Sequence, residues 1–296
     1  MANTERNTAR LLAVAAAVLF STGGAGIKVD SFDAAEVSFA RSGIAGLALL
    51  IWCRGRISWS TGTIGAGVIY ASTLLLFVGA TKLTTAANAI FLQSAAPLYL
   101  LVLSPFVLHE AVRRRDVLYL IAVGLGMLLC FLGTQAASAT ASNPALGNWL
   151  GAASGLSWAL TLLMLRRIGR KDRKGEATLA AVIAGNAFAC MAAAPFALPL
   201  PVATAGEWAT LIYLGVFQIG LAYMCLTVAL RRLPALEVSL LLLLEPVLNP
   251  VWTWIIRSEA PEGWTIVGGA VILSATAVKV IYDASRRERP TVPQAG

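Results

Sequence analysis

Ten long, mainly apolar stretches follow one another along the 296-residue chain, with only short polar breaks between them. They cover residues 10–29, 34–52, 62–82, 85–107, 117–134, 146–167, 176–198, 207–230, 235–256 and 263–283. A helix rising ~1.5 Å per residue needs about 20 such residues to cross a ~30 Å hydrocarbon layer. The pattern therefore predicts ten transmembrane helices. Composition agrees: 58% of residues are apolar, 13% are charged and the mean hydropathy is +0.75. A water-facing fold carries roughly 25% charged residues. Soluble enzymes, secreted modules and nucleic-acid binders are excluded on that ground, despite a net charge of +8.

The placement of the charge accounts for its sign. Of 23 Lys and Arg, nineteen fall in alternate breaks, on the side that holds Arg54, Arg56, Arg113 to Arg115, the 166–174 cluster, Arg231, Arg232 and both termini. Lys28, Lys82 and Arg257 fall on the other side, and Arg41 lies inside a stretch. Basic residues concentrate in cytoplasmic loops. Both termini are thus expected in the cytoplasm of a cell whose inner (plasma) membrane the chain crosses. Residues Leu11–Phe20 and the small residues after them resemble a secretory signal. Their length favours retention as the first span. Cys53, Cys130, Cys190 and Cys225 sit in or beside apolar runs without CxxC spacing, which predicts neither a metal site nor a disulfide framework.

The fourth and ninth stretches repeat one another. Leu83–Glu110 reads LTTAANAIFLQSAAPLYLLVLSPFVLHE, and Arg232–Glu259 reads RLPALEVSLLLLLEPVLNPVWTWIIRSE. A shift of 149 positions places Ala86 on Ala235, Pro97 on Pro246, Leu98 on Val247 and Glu110 on Glu259. This predicts two halves, residues 1–140 and 145–284, with 285–296 a cytoplasmic tail. Five crossings is an odd number, so the second half enters the membrane upside down. Inverted repeats place substrate near the midplane between the halves, which exchange conformations. The expected fold class is all-α integral membrane: ten transmembrane helices as two inverted five-helix repeats around a central cavity.

The five-plus-five arrangement, the Pro and Glu thirteen positions apart at the ends of stretches four and nine, and Arg41 in a second stretch reading FARSGIAGLALL resemble the EamA-type drug/metabolite transporter superfamily. The resemblance covers essentially the whole chain. Within that superfamily the sequence is similar to the YddG-type exporters of aromatic amino acids. The resemblance implies a carrier that exports small amphipathic metabolites by alternating access, with no bound cofactor. The alternatives are a multidrug or other metabolite permease of the same superfamily, a channel, or an intramembrane enzyme. An enzyme finds no support: there is no HExxH, no GxSxG, and the one histidine, His109, adjoins Glu110 at a span end. Ala96 matches Glu245, so the halves are unequal where a polar group matters.

Glu245 falls ~15 Å into its span, near the midplane. An intramembrane carboxylate costs at least ~2.5–3.5 kcal/mol on insertion scales and is by default a functional candidate. It can bind a substrate ammonium, exchange a proton with the cavity, or tie helices together. Glu237, Leu241, Glu245, Asn249 and Trp252 share a helical face expected to line the cavity. Pro97, Pro246 and Pro250 remove backbone donors, which predicts kinks and a carbonyl freed at Gln93 and at Leu242. Asn88, Gln93 and Tyr99 mark the fourth span; Tyr70 and Phe77 the third; Trp158 the sixth; Gln218 and Tyr223 the eighth. These are the candidate substrate-binding residues, with ordinary packing the competing reading for each aromatic. Gly147, Gly151 and Gly155 form a small-xxx-small series for close helix contact. Arg41 can hold a substrate carboxylate or clamp helices through a partner on another span; the superfamily position favours the clamp. Lys28, Glu36 and Lys279 lie near span ends, where they can snorkel. The expected partners are the lipid bilayer and a small molecule such as an amino acid, with no metal and no nucleic acid. A monomer suffices for this arrangement.

Overall fold

The computed structural model describes residues 2–28, 31–96, 98–99, 103, 114–132, 141–169, 172, 174–233, 241–242 and 244–287. Pro97, His109, Glu110 and Glu237 lie outside them. Every regular element among the described residues is helical. In order they are α1 (Ala2–Ser21), α2 (Gly23–Ile27), α3 (Ala34–Cys53), α4 (Thr61–Leu83), α5 (Ala86–Gln93), α6 (Arg114–Leu132) and α7 (Pro144–Gly169). There follow α8 (Glu176–Ala197), α9 (Ala205–Tyr213), a π-helical segment (Leu214–Leu221), α10 (Ala222–Arg232), α11 (Leu244–Arg257) and α12 (Gly263–Arg287). Among the described residues, six segments are long and apolar enough to cross a membrane: Asn7–Ile27, Ala34–Cys53, Thr61–Leu83, Pro144–Gly169, Glu176–Ala197 and Ala205–Ala229.

Local chemistry sets the helix ends. Asp33 with Glu36, Ser60 with Thr63, and Thr204 with Glu207 form reciprocal capping boxes at the starts of α3, α4 and α9. Thr85 caps α5. Helix α3 stops where Arg54 and Gly55 turn left-handed, at φ 48° and 72°. Asp172 holds the start of α8 by accepting from the amides of Gly175, Ala177 and Thr178 at 2.9–3.0 Å. Partial burial pushes the Asp172 carboxyl up, but those amides, with the Thr178 hydroxyl, outweigh it and hold it below its ordinary value. The folded state thus binds the ionised form better. Asp172 contributes stability above the unfolded carboxyl pKa, and that stability is lost as pH falls through the folded one. We expect Asp172→Ala to cost about 1 kcal/mol and to flatten the acid limb of a thermal-unfolding profile. An unchanged acid limb would remove Asp172 as its source.

The helices close into a ring. Helix α1 packs on α10 and the π segment, the π segment on α3, α3 on α8 and α8 on α4. From there α4 packs on α7, α7 on α5, α5 on α11, and α11 returns to α1. Each step passes from the chain before residue 141 to the chain after it, or back. Helices α6 and α12 pair with each other outside the ring and reach it at α5. Glycines make two crossings possible. A Cβ on Gly185 of α8 would lie 2.4 Å from Tyr70 Cδ1 and 2.9 Å from the Gly67 carbonyl. A Cβ on Gly268 of α12 would lie 2.6 Å from the Gly126 carbonyl. The outward faces carry exposed apolar residues, such as Leu47 and Ile51 on α3 and Val247, Val251 and Trp254 on α11.

Several expectations change here. The fourth span is interrupted within the described residues: α5 ends at Gln93, Ser94 and Ala95 form a turn, and helix is found again at Ala96, Leu98 and Tyr99, so the interruption falls just before Pro97. Pro246 has helical residues on both sides, 241–242 and 244–245 before it and the rest of α11 after it, and Pro250 is inside the same helix. Lys28 does not snorkel. It is 8% exposed and pairs with Glu259 at 2.9 Å. The Lys28 ammonium also donates to the Thr84 carbonyl at 2.8 Å, and the Glu259 carboxylate accepts from the Ala86 amide at 2.7 Å. This buried knot ties the end of α2, the start of α5 and the turn after α11.

Candidate functional site

The ring's interior holds polar groups from both halves. Arg41 of α3 is 3% exposed; its Nε and Nη2 donate to Gln218 Oε1 at 3.2 and 2.8 Å. Gln218 reaches it from the π segment, whose wider turn carries the side chain towards α3. Close approach there depends on Gly215, where a Cβ would lie 2.6 Å from Ile44 Cβ and 3.0 Å from the Arg41 carbonyl. Gln218 Nε2 donates onward to the Phe20 carbonyl at 3.2 Å. The clamp expected for Arg41 therefore has a partner 177 residues away, and it joins α1, α3 and the π segment. It consumes both ends of the Gln218 carboxamide, which serves as a clamp and not as a free wall residue.

Arg41 Nη1 is left buried with no hydrogen-bond partner. Around it, Tyr70 of α4 and Tyr223 of α10 meet edge-on with ring centroids 5.4 Å apart, and Phe20 extends the series at 5.2 Å from Tyr223. The Tyr70 hydroxyl and Asn186 Oδ1 are likewise buried without partners. Glu245 of α11 is half-buried. Arg41 and Glu245 are within electrostatic reach of one another but form no ion pair. Trp158 of α7, Leu241 and Leu242 are half-buried and pack against the apolar cluster that contains Tyr70 and Tyr223.

Other predicted residues sit around this centre. Gln93 donates to Ser154 Oγ at 2.7 Å, at the edge of a seam in which Thr73 bonds Ser157 and Thr161. Tyr99 is half-buried against Gly155, where a Cβ would lie 3.1 Å from its ring and 3.3 Å from the Gln93 carbonyl. Gly151 faces Leu92 and Ala89 in the same contact. Trp252 donates to Ser21 Oγ at 2.9 Å. Asn249 is fully buried with neither end of its carboxamide paired, pressed against Gly24.

Two predicted wall residues point elsewhere. Asn88 accepts from Thr265 and donates to the Cys130 carbonyl and Asn148, which spends its groups on α6, α7 and α12. A helix of under three turns cannot turn Asn88 and Gln93 to one side, since five positions are 500° of rotation. Phe77 is packed in the second apolar cluster with Ile27 and Phe32. The sequence reading missed Asn186 and the π segment. A lone carboxamide in the alanine-rich seventh stretch was a usable signal for the first; nothing in the sequence marks the second.

A ring of apolar helices around buried polar and aromatic groups defines a polytopic membrane protein with polar groups in its interior. Comparison with known proteins narrows this class. The chain belongs to the EamA-like transporter family, whose model matches it twice, over residues 7–132 and 145–281. It is 30% identical over 279 residues to the "Pseudopaline exporter CntI" of Pseudomonas aeruginosa, spanning 90% of this chain and 93% of that one. It is 26% identical over 267 residues to an "Uncharacterized transporter" of Archaeoglobus fulgidus, with the same coverage. A crystal structure at 22% identity superposes with a TM-score of 0.64, covering 94% of this chain and 98% of its own, which shows a shared fold. The protein is a membrane transporter.

Proposed function

We propose that this transporter is a ten-span carrier, built from inverted five-helix halves, that exports small zwitterionic amphipathic metabolites by alternating access. The cargo is best read as hydrophobic and aromatic amino acids. The halves are residues 1–140 and 145–284, the tail is 285–296, and both termini are cytoplasmic in the bacterial inner membrane. The carrying observation is the separated charge pair: an unpartnered Arg41 nitrogen and a half-buried Glu245 carboxylate flank the Tyr70–Tyr223–Trp158 aromatics. Such a site can hold a carboxylate and an ammonium at opposite ends of an apolar body. Two further facts support the architecture. The family match is duplicated, and exchanging the first five stretches for the second five maps the ring of neighbours onto itself. Tyr99, Gln93, Asn249 and Trp252 complete the wall in this reading, with Gly151, Gly155, Pro97, Pro246 and Pro250 letting the helices shift. The name of the 30% identical relative favours export and a second reading of the cargo, pseudopaline itself.

Counterflow of labelled phenylalanine and leucine into proteoliposomes, with unlabelled pseudopaline as competitor, tests both readings. Saturable exchange of the amino acids is expected. Uptake that never saturates would indicate a channel, and competition by pseudopaline without amino-acid flux would select the second cargo. Glu245→Gln should lower kcat/KM for zwitterions at least about tenfold, the loss of one charge-assisted contact of ~1.5–3 kcal/mol. Transport by Glu245→Gln equal to the parent's would return Glu245 to a helix-tying role.

A further inference from the structure

A cleft of 490 Å³ opens beside the ring, where the end of α3, the start of α8 and the end of α10 meet. It lies at the ends of these helices that carry the basic breaks. Its size falls within the ~300–1,000 Å³ of ordinary ligand sites. Three cations from two loops form its rim: Arg54, Arg56 and Lys174. The left-handed pair Arg54 and Gly55 folds this rim, since Arg54 N–H returns to the Ile51 carbonyl and Arg56 N–H to that of Cys53. None of the three cations forms an ion pair among the described residues. The nearby amides of α8 are already taken by Asp172, and the one acid in the wall is Glu176.

Below the rim the wall turns apolar, with Trp52, Met224 and Val228. Trp52 is 40% exposed, and the same end of α3 also carries Ile51, Leu50 and Leu47, which are 73%, 41% and 63% exposed. An exposed apolar surface of α3 therefore adjoins the unneutralised cationic rim, with a tryptophan at the level where aromatic belts sit. That is the profile of an anionic amphiphile lying parallel to the helices. Basic pockets between transmembrane helices bind acidic lipid headgroups.

We propose that the Arg54–Arg56–Lys174 cleft is a binding site for an anionic phospholipid, whose phosphate meets the three cations and whose acyl chain runs along the Leu47–Ile51 face of α3. The test is native mass spectrometry of the purified full-length chain, titrated with phosphatidylglycerol, phosphatidylcholine or inorganic phosphate. Phosphatidylglycerol should bind in preference to phosphatidylcholine. The triple variant R54Q/R56Q/K174Q should weaken it on the order of a hundredfold, at about a factor of five per cation near a membrane surface. Glu176→Gln, which removes the opposing acid, should tighten it, so the result does not depend on the triple variant's yield. Equal affinity for the two lipids, an unchanged affinity in the triple variant, or no gain in Glu176→Gln would overturn the site. Inorganic phosphate binding as tightly as the phospholipid would overturn the lipid assignment.

Discussion

Replacing Lys28 with methionine should destabilise the protein by about 3–5 kcal/mol, the cost of removing one partner of a buried ion pair. Glu259 is 3% exposed, so the charge abandoned there has little water to fall back on. The effect should be visible as a large drop in the thermal-unfolding midpoint of the detergent-solubilised protein. The double variant Lys28→Met with Glu259→Leu removes both charges and should regain most of the loss, because no buried charge is left behind by the pair. A double variant as unstable as the single one would mean that the pair is not the source. The Ala86 amide loses its acceptor in the double variant, so full recovery is not expected. Transport carries a second readout. The knot joins segments of both halves on the face opposite the basic clusters, so its loss should increase labelling of Tyr223→Cys by an impermeant thiol reagent added from that face.

Gly185→Ala should be nearly as damaging, and for a different reason. A methyl at that position would overlap the Tyr70 ring and the Gly67 carbonyl, so α4 and α8 must separate. Overpacking typically costs ~1–3 kcal/mol where side chains can yield. A backbone carbonyl yields less, so the upper end of that range is expected. Displacing Tyr70 also disturbs its edge-on contact with Tyr223, so transport should fall even in the fraction that folds. Gly65→Ala, two residues from Gly67 on the same helix, is the control: a Cβ there meets nothing within 4 Å. It should be neutral or stabilising by up to about 1 kcal/mol. Equal yields and midpoints for the two variants would show that α4 and α8 are not in contact at Gly185.

Much of this was legible in the sequence because a membrane imposes one length and one polarity on every crossing. The positions of α3, α4, α8 and α12 follow from hydropathy alone, and the starts of α3 and α4 coincide with local capping pairs, Asp33 with Glu36 and Ser60 with Thr63. Arg41 was recognisable as a residue needing a distant partner, since Glu36 lies on another face. That partner, Gln218, was not legible as such: it depends on the π segment, and a π turn is chosen by what packs against it. Glu245 stood out because a charge at that depth is costly, and the structure leaves it half-buried. Asn88 was misplaced for a related reason. Periodicity on a straight helix assigned it to one wall with Tyr99, whereas α5 stops after eight residues and sends Asn88 towards α6 and α12. Lys28 resembled a surface lysine until Glu259, from the far end of the chain, came to rest beside it.

The order of neighbours around the ring also bears on how the protein is assembled. Because every step changes from the earlier part of the chain to the later, the two parts interleave like the fingers of clasped hands. Neither part closes the ring by itself: α3 touches α4 and α4 touches α5, but their larger contacts are with helices of the other part. A gene divided at the 141–143 turn should therefore yield two fragments that are each degraded when made alone and recovered as one complex when made together. During synthesis the leading part must wait in the bilayer with its polar seams uncovered until the trailing part slides between its helices.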